Sequence, residues 1–485
     1  MKEKSFVQHF LVLGGSSFVN ILLGFFSVPI ITRFVNRYDY GQFNLFMVYG
    51  SIALVVVCLG LDQSFVRYFY ADKAMGYKRN IFINCLKYPI YISVPLAILF
   101  ILITNLGLIN FDFNLLLSLL LVLYVVILVI QRFCNLLLRV EYKTGNLARA
   151  VILQKVIFIA VALLFIIILR RQQVLVLVLA TIVSCLISTF YAFFVNRELL
   201  FSKERNSTPI NMKEQFRFGL PLIVSMGITT LLTTIDRLVL RHHFGFGEVG
   251  IYATAISLIA VFTIIQSTFN TLWIPKVVEH YEKGKNSVDD LDRSFYQRGN
   301  QIITILMFFI GLSVILFKDW YALLLGPQFR EAASIIPFLV FVPIMFTISE
   351  STCIGIVIKE KSEMHIIVAI GACLTNLIAN LVLVPMYGGR GAAMAAALSY
   401  IVLWTLRTIL SNRLFYVDYR LLRIGIMIVY TFLFALYNTF NSFDVVILVA
   451  YLMGLVLMSL LYYDTLKFIL RYGLDYINKR KKWKR

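Results

Sequence analysis

"LVPMYGGRGAAMAAALSY", residues 383–400, is the stretch that decides the fold. An apolar run meets Pro385, a turn follows with Gly388, Gly389 and Gly391 around Arg390, and an alanine-rich apolar run begins at once. Proline cannot continue the helical hydrogen-bond ladder, so Pro385 is expected to close the first helix. The glycines permit a tight turn. Ala392, Ala393, Ala395, Ala396 and Ala397 let the second helix approach a neighbour closely. Two apolar helices joined this tightly read as a membrane hairpin. For Arg390 two readings stand open: an anchor of a packing corner, or a cation left for a ligand.

The rest of the chain repeats this pattern. Of its 485 residues 60% are hydrophobic and 14% charged, against about 25% charged in a soluble domain. Apolar runs long enough to cross a bilayer as helices recur from end to end. The expected fold class is an all-α polytopic membrane protein of about 14 transmembrane helices, near 8–32, 43–66, 81–104, 114–138, 149–169, 174–196, 218–240, 250–274, 299–317, 332–358, 364–384, 391–412, 424–440 and 444–466. A β-barrel is excluded, because its strands are short and alternate. The opening "MKEKSFVQHFLVLGGSSFVN" continues into "ILLGFFSVPIIT", so it reads as an uncleaved first span rather than a signal peptide.

The net charge is +20, which invites a nucleic-acid reading. The distribution of the cations argues against one. Of the 45 Lys and Arg, 33 fall on one set of loops and both termini, 8 on the opposite loops and 4 within spans. Cytoplasmic loops carry such an excess, so both termini are expected in the cytoplasm. The tail "KRKKWKR" is expected to lie on anionic lipid. The loops are too short to hold an independent domain, so function must reside in the helix bundle. The six cysteines form no CxxC and no metal-ligand spacing, and neither a metal nor a cofactor is expected. Asp290-Leu291-Asp292 resembles a metal–nucleotide motif but lacks its flanking fold. His242-His243 are chain neighbours that cannot easily close a metal site alone. An enzyme is therefore not expected.

Two stretches resemble each other: "ITRFVNRYDYGQFNLFMVYGSIALVV" and "IDRLVLRHHFGFGEVGIYATAISLIAVF". Each has two Arg four residues apart at a helix end, then a Gly-x-aromatic, with Gly41-Gln42-Phe43 matching Gly250-Ile251-Tyr252. The offset of six spans preserves orientation, as in parallel repeats about an axis normal to the membrane. The second stretch, followed by "FNTLWIPKVVEHYEKG", and the stretch "NLIANLVLVPMYGGRGAAMAAALSY" resemble the polysaccharide-transporter branch of the multidrug/oligosaccharidyl-lipid/polysaccharide (MOP) superfamily. The resemblance implies two six-helix lobes, related by a pseudo-twofold repeat, around a central cavity. It implies lobes at 1–197 and 218–413, a linker at 198–217, and two further helices with a basic tail at 414–485. It also implies a flippase of undecaprenyl-diphosphate-linked oligosaccharide in the bacterial cytoplasmic membrane, for cell-surface polysaccharide, alongside polymerases and glycosyltransferases.

A charge near the bilayer middle costs several kcal/mol unless it faces water or a partner. Seven residues meet that description: Asp62, Arg132, Lys155, Asp236, Arg237, Glu350 and Arg407. Arg132 and Lys155 each lie six or seven residues from a basic helix end, about 10 Å deep. Two cations at one depth suit a pyrophosphate; the alternative is that both snorkel. Arg407 is open to the same two accounts, and Arg237 joins the substrate candidates, as does Arg390. Asp62 is expected to pair locally with Arg67 or Gln63, or to couple an ion, and Asp236 is a further ion-coupling candidate. On the seventh span Thr229, Thr233 and Asp236 share a face, as do Thr230, Thr233 and Arg237, although Thr hydroxyls can turn back to the helix. Asn376 and Asn380 are expected to join helices. Glu350, about 13 Å inside Lys359 along a straight helix, is expected either to carry H⁺ or Na⁺ or to pair with Arg237 or Arg407. Two rival functions remain: a Na⁺- or H⁺-coupled drug exporter, and a transport-inactive scaffold for glycosyltransferases. An exporter of cations wants cavity acids, whereas these spans hold more cations than acids.

Overall fold

The computed structural model describes residues 19, 22–105, 113–168, 173–202, 204, 211–285, 293–468 and 471. Its helices are α1 (Leu22–Phe34), α2 (Arg37–Cys58), α3 (Leu61–Tyr68), α4 (Met75–Asn105), α5 (Leu115–Val140), α6 (Thr144–Ile168), α7 (Gln173–Val195), α8 (Arg197–Leu200), α9 (Met212–Phe244) and α10 (Phe246–Ile259). There follow α11 (Phe262–Lys285), α12 (Ser294–Leu316), α13 (Lys318–Leu324), a 3₁₀ segment (Pro327–Ser334), α14 (Ile336–Leu339), α15 (Phe341–Thr352), α16 (Ile354–Ile358), α17 (Glu363–Tyr387), α18 (Gly389–Leu414), α19 (Leu421–Phe440) and α20 (Val445–Leu461). Among the described residues there is no strand. Among the described residues ten helices are long and apolar enough to cross a bilayer, or 12 if each of two bent pairs is one span. The shorter apolar helices α1 and α20 stand where the first and last of the fourteen expected spans would be. Residues 1–18, the 286–292 segment with the DxD, and the basic tail from 472 lie outside the described residues.

Polar caps set several helix starts. Asn36 accepts the Asp39 amide at 2.8 Å, Asn114 that of Leu117 at 2.9 Å, and Asp444 that of Ile447 at 2.8 Å. Each satisfies a donor that the first helical turn leaves without an intrahelical acceptor.

Contacts divide the chain into two compact units, 1–253 and 254–485. The division falls within α10, and α9 packs within the first unit, against α2 and α3. In that unit the two resembling corners are neighbours. A Cβ on Gly41 would collide with the Phe246 carbonyl, and one on Gly250 with the Arg37 carbonyl. Tyr38 meets Phe246 edge-on at 5.1 Å.

The expected span at 43–66 is not one helix. Leu59 and Gly60 both take left-handed backbone angles, φ 47° and 69°. Two such residues in succession end α2 and start α3 in a new direction. The expected span at 332–358 is also broken. It divides into α14, α15 and α16, and the 3₁₀ segment before it is bent by 52°. Glu350 sits two residues before the end of α15, so the helix from it to Lys359 is interrupted at Cys353.

In the second unit α17 and α18 form the hairpin. Pro385 does not end α17, which runs on to Tyr387. A proline near a C-terminus removes one hydrogen bond without preventing the last turn. The reversal occurs at Gly388, whose φ is 56°. Gly391 lies where a Cβ would strike the Leu383 carbonyl, so the helices touch backbone to backbone. Asn376 donates to Ser399 at 3.3 Å across this hairpin, and Asn380 to Asn376.

Candidate functional site

The left-handed step at Leu59–Gly60 puts Asp62 in the first turn of α3, at the N-terminal end that favours an anion. Its carboxylate is 2% exposed. Arg132 of α5 donates to one oxygen, Oδ2, from Nη2 at 2.9 Å and from Nε at 3.2 Å, and Gln63 donates to the same oxygen at 3.0 Å. The other oxygen, Oδ1, has no hydrogen bond. Burying an ion costs several kcal/mol unless a counter-ion sits beside it, which accounts for the pairing. Asp62 thus pairs with Arg132 rather than with Arg67, whose guanidinium lies 4.3 Å from the centre of the Phe218 ring. The side chain of Arg132 remains 40% exposed, and Nη1 takes no part in the pair.

Lys155 is brought to the same level by its neighbour. Gln131 of α5 donates to Gln154 of α6 at 3.0 Å. On antiparallel helices, the residue after each member of a facing pair turns by about 100° to one common side. Arg132 and Lys155 therefore project to one side of the α5–α6 pair. Lys155 lies 5.5 Å from the Phe158 ring centre and has no ion pair among the described residues. Asp62 and Arg132 offset each other in charge, so Lys155 adds a cation on the neighbouring helix that no described acid offsets. The Gln-Arg and Gln-Lys doublets are polar pairs in apolar helices, a signal that reading the charges alone passes over.

On α9 the threonine stripe is largely muted. Thr229 donates to the Ser225 carbonyl at 2.9 Å, Thr234 to that of Thr230 at 2.7 Å, and Thr233 to those of Thr229 and Thr230. Such back-bonding hides the hydroxyl. Asp236 is buried and accepts from the Tyr252 hydroxyl at 2.7 Å. Arg237, the next residue, is half-buried.

In the second unit Glu350 and Arg407 form an ion pair, with side chains 13% and 11% exposed. Arg407 also donates to Ser349 at 2.9 Å and lies 5.4 Å from the Phe346 ring centre. Hydroxyls continue the seam: Thr352 with Thr408 at 2.7 Å, and Ser411 accepting the Gly355 amide at 2.9 Å. Arg407 points to its acid rather than to a lipid headgroup. Arg390 donates to Ser334 at 3.0 Å and lies 5.4 Å from the Phe440 ring centre, the anchorage of a packed corner. Among the described residues, no three His, Cys, Asp or Glu gather as a metal site.

The two ion pairs thus differ in kind. Glu350–Arg407 is nearly closed, whereas Asp62–Arg132 keeps a partly exposed guanidinium.

The family described as polysaccharide biosynthesis protein matches residues 6–281. The chain is 25% identical over 226 residues to the capsular polysaccharide biosynthesis protein CapF of Staphylococcus aureus; the match covers 46% of this chain and 56% of that relative's length. Its fold is similar to that of the lipid II flippase MurJ in an inward closed conformation, with TM-score 0.68 and 13% identity over 94% of this chain and 100% of that one. It is also similar to an inward-facing multidrug resistance MATE family transporter, with TM-score 0.59 and 15% identity over 84% and 95%. The chain is a multi-pass membrane protein that belongs to the polysaccharide biosynthesis protein family and has the fold of the MOP-superfamily transporters.

Proposed function

We propose that this chain is a flippase that carries undecaprenyl-diphosphate-linked oligosaccharide from the inner to the outer leaflet of the bacterial cytoplasmic membrane, by alternating access of its two lobes. The observation that carries the reading is the surplus cation at Arg132 and Lys155. Both side chains project to one side about 10 Å inside the basic face, and that face is the cytoplasmic one by the distribution of Lys and Arg. A diphosphate is the anion that such a pair suits, since guanidinium binds phosphate through a two-pronged fork.

The same cluster suggests how transport is coupled. A diphosphate arriving at Arg132 competes with Asp62 for the guanidinium. A buried carboxylate stripped of its counter-ion is costly, so Asp62 takes up H⁺ or Na⁺ as the substrate loads. Glu350 holds Arg407 in place in this scheme. Both Asp62 and Glu350 are occupied by arginines, which argues against a site for cationic drugs. The test is deletion of the gene in its own host. Lipid-linked oligosaccharide should accumulate in the inner leaflet while glycosyltransferase activities persist. Loss of the oligosaccharide itself would support a scaffold, and unchanged levels with a gain in drug sensitivity would support an exporter.

A further inference from the structure

A cavity of about 270 Å³ opens in the first unit between α2, α4 and α5. Its walls are almost entirely hydrocarbon: among them Val56 of α2, Leu96 and Phe100 of α4, and Leu121 and Val125 of α5. The one hydroxyl that α4 contributes, that of Ser93, turns back to the Ile90 carbonyl at 2.7 Å. The α4 wall runs past Pro95, where the missing amide weakens the helical ladder.

The cavity and the cation cluster share a helix face. Val125 and Leu121 precede Arg132 by seven and eleven residues, which brings both to within about 20° of its direction on α5. They stand about 10 and 17 Å further from the basic face. Val57, in the α2 wall, is the last residue but one of its helix, just before the step that delivers Asp62. A molecule with its anionic head at Arg132 would therefore have an apolar slot along the same face, toward the bilayer middle, where the tail of an inner-leaflet lipid runs.

We propose that this cavity holds the first units of the substrate's polyprenyl chain, a reading that rests on the diphosphate site proposed above. An apolar cavity of about 150 Å³ takes up benzene, so this one has room for about two five-carbon units. The rest of the chain would lie in lipid. The gain is selectivity rather than hydrophobic energy, because lipid is as apolar as the slot. A head–tail fit along one helix face admits prenyl diphosphates and leaves ordinary phospholipids, which lack the diphosphate, without a reason to enter.

The test uses the full chain in nanodiscs and a three-unit prenyl diphosphate with a diazirine on its second unit. After irradiation, label should map to residues 49–57, 93–100 or 121–125, and excess inorganic pyrophosphate should compete it away. Ala97→Trp, which fills the slot, should lose the label there; Ala53→Leu provides a milder filling should the first variant fold poorly. A diazirine phosphatidylcholine should not label the slot in a way that pyrophosphate removes. Equal labelling of the slot by both lipids, indifferent to pyrophosphate, would mark a general lipid crevice and overturn the proposal. Pyrophosphate-sensitive label found elsewhere would also overturn it, while leaving the diphosphate site standing. Absence of any pyrophosphate-sensitive label would remove that site, and the slot proposal with it.

Discussion

Arg132 and Asp62, seventy residues apart in the chain, meet at 2.9 Å with the acid 2% exposed and the cation 40% exposed. The asymmetry sets their separate contributions. The carboxylate is committed to the fold, whereas the guanidinium is divided between the fold and whatever visits its open edge.

Removing the cation alone should therefore cost stability. Arg132→Ala leaves a buried carboxylate without its counter-ion, and breaking a buried pair costs about 3–5 kcal/mol, less here because Arg132 is partly solvated. The double variant Asp62→Asn, Arg132→Ala should regain most of the lost melting temperature, measured in detergent, but not transport. Recovery of both would make Arg132 a purely structural residue.

Glu350→Gln should behave differently. It removes the charge that holds a nearly buried arginine, at a cost of about 3–5 kcal/mol, and should lower thermal stability before it alters gradient dependence. Adding Arg407→Met should restore part of the stability, because the two residues are coupled. A fully stable Glu350→Gln that no longer responds to a proton or sodium gradient would assign the acid to ion coupling instead.

The hairpin at 383–400 should tolerate no side chain at its contact point. Gly391→Leu is expected to reduce the yield of folded protein sharply, since the new atoms would meet the Leu383 backbone. Substrate preference in whatever folds should be unchanged. Normal yield with altered preference would transfer the corner, Arg390 included, to the substrate path.

Topology is read from charge alone and can be checked alone. Reporters inserted at 67–80, at 276–298 and at the C-terminus should be cytoplasmic, and those at 105–113 and 241–249 external. An external C-terminus would contradict the assignment of sides on which the depths of Arg132 and Lys155 depend.

The spans were legible in the sequence because bilayer thickness dictates their length, and the hairpin because glycine and proline have few other uses there. Arg407 as partner of Glu350 was also within reach, since a buried acid needs a cation and few were on offer. Of the partners of Asp62, Gln63 was legible as its chain neighbour and donates to it, but Arg132 was not. Asp62 and Arg67 lie on one helix, α3, but five residues put them about 140° apart, and the left-handed step at Leu59–Gly60 sets the direction of α3 in which Asp62 meets α5. Nothing in Leu59 announces that step, because its branched side chain disfavours the conformation it adopts. The pairing of Gln131 with Gln154 was likewise hidden, for it depends on the register of two helices against each other.

The central claim is that Arg132 and Lys155 together receive a diphosphate. The most direct measurement is translocation of a fluorescent prenyl-diphosphate oligosaccharide in proteoliposomes, with wild type, Arg132→Ala, Lys155→Ala and the double variant reconstituted at equal density. Each single variant should slow flipping. The double should fall short of the product of the singles, because both residues would contact one ligand. Arg132→Lys should remain impaired because the fork is lost. Wild-type flipping by the double alanine variant would contradict the account.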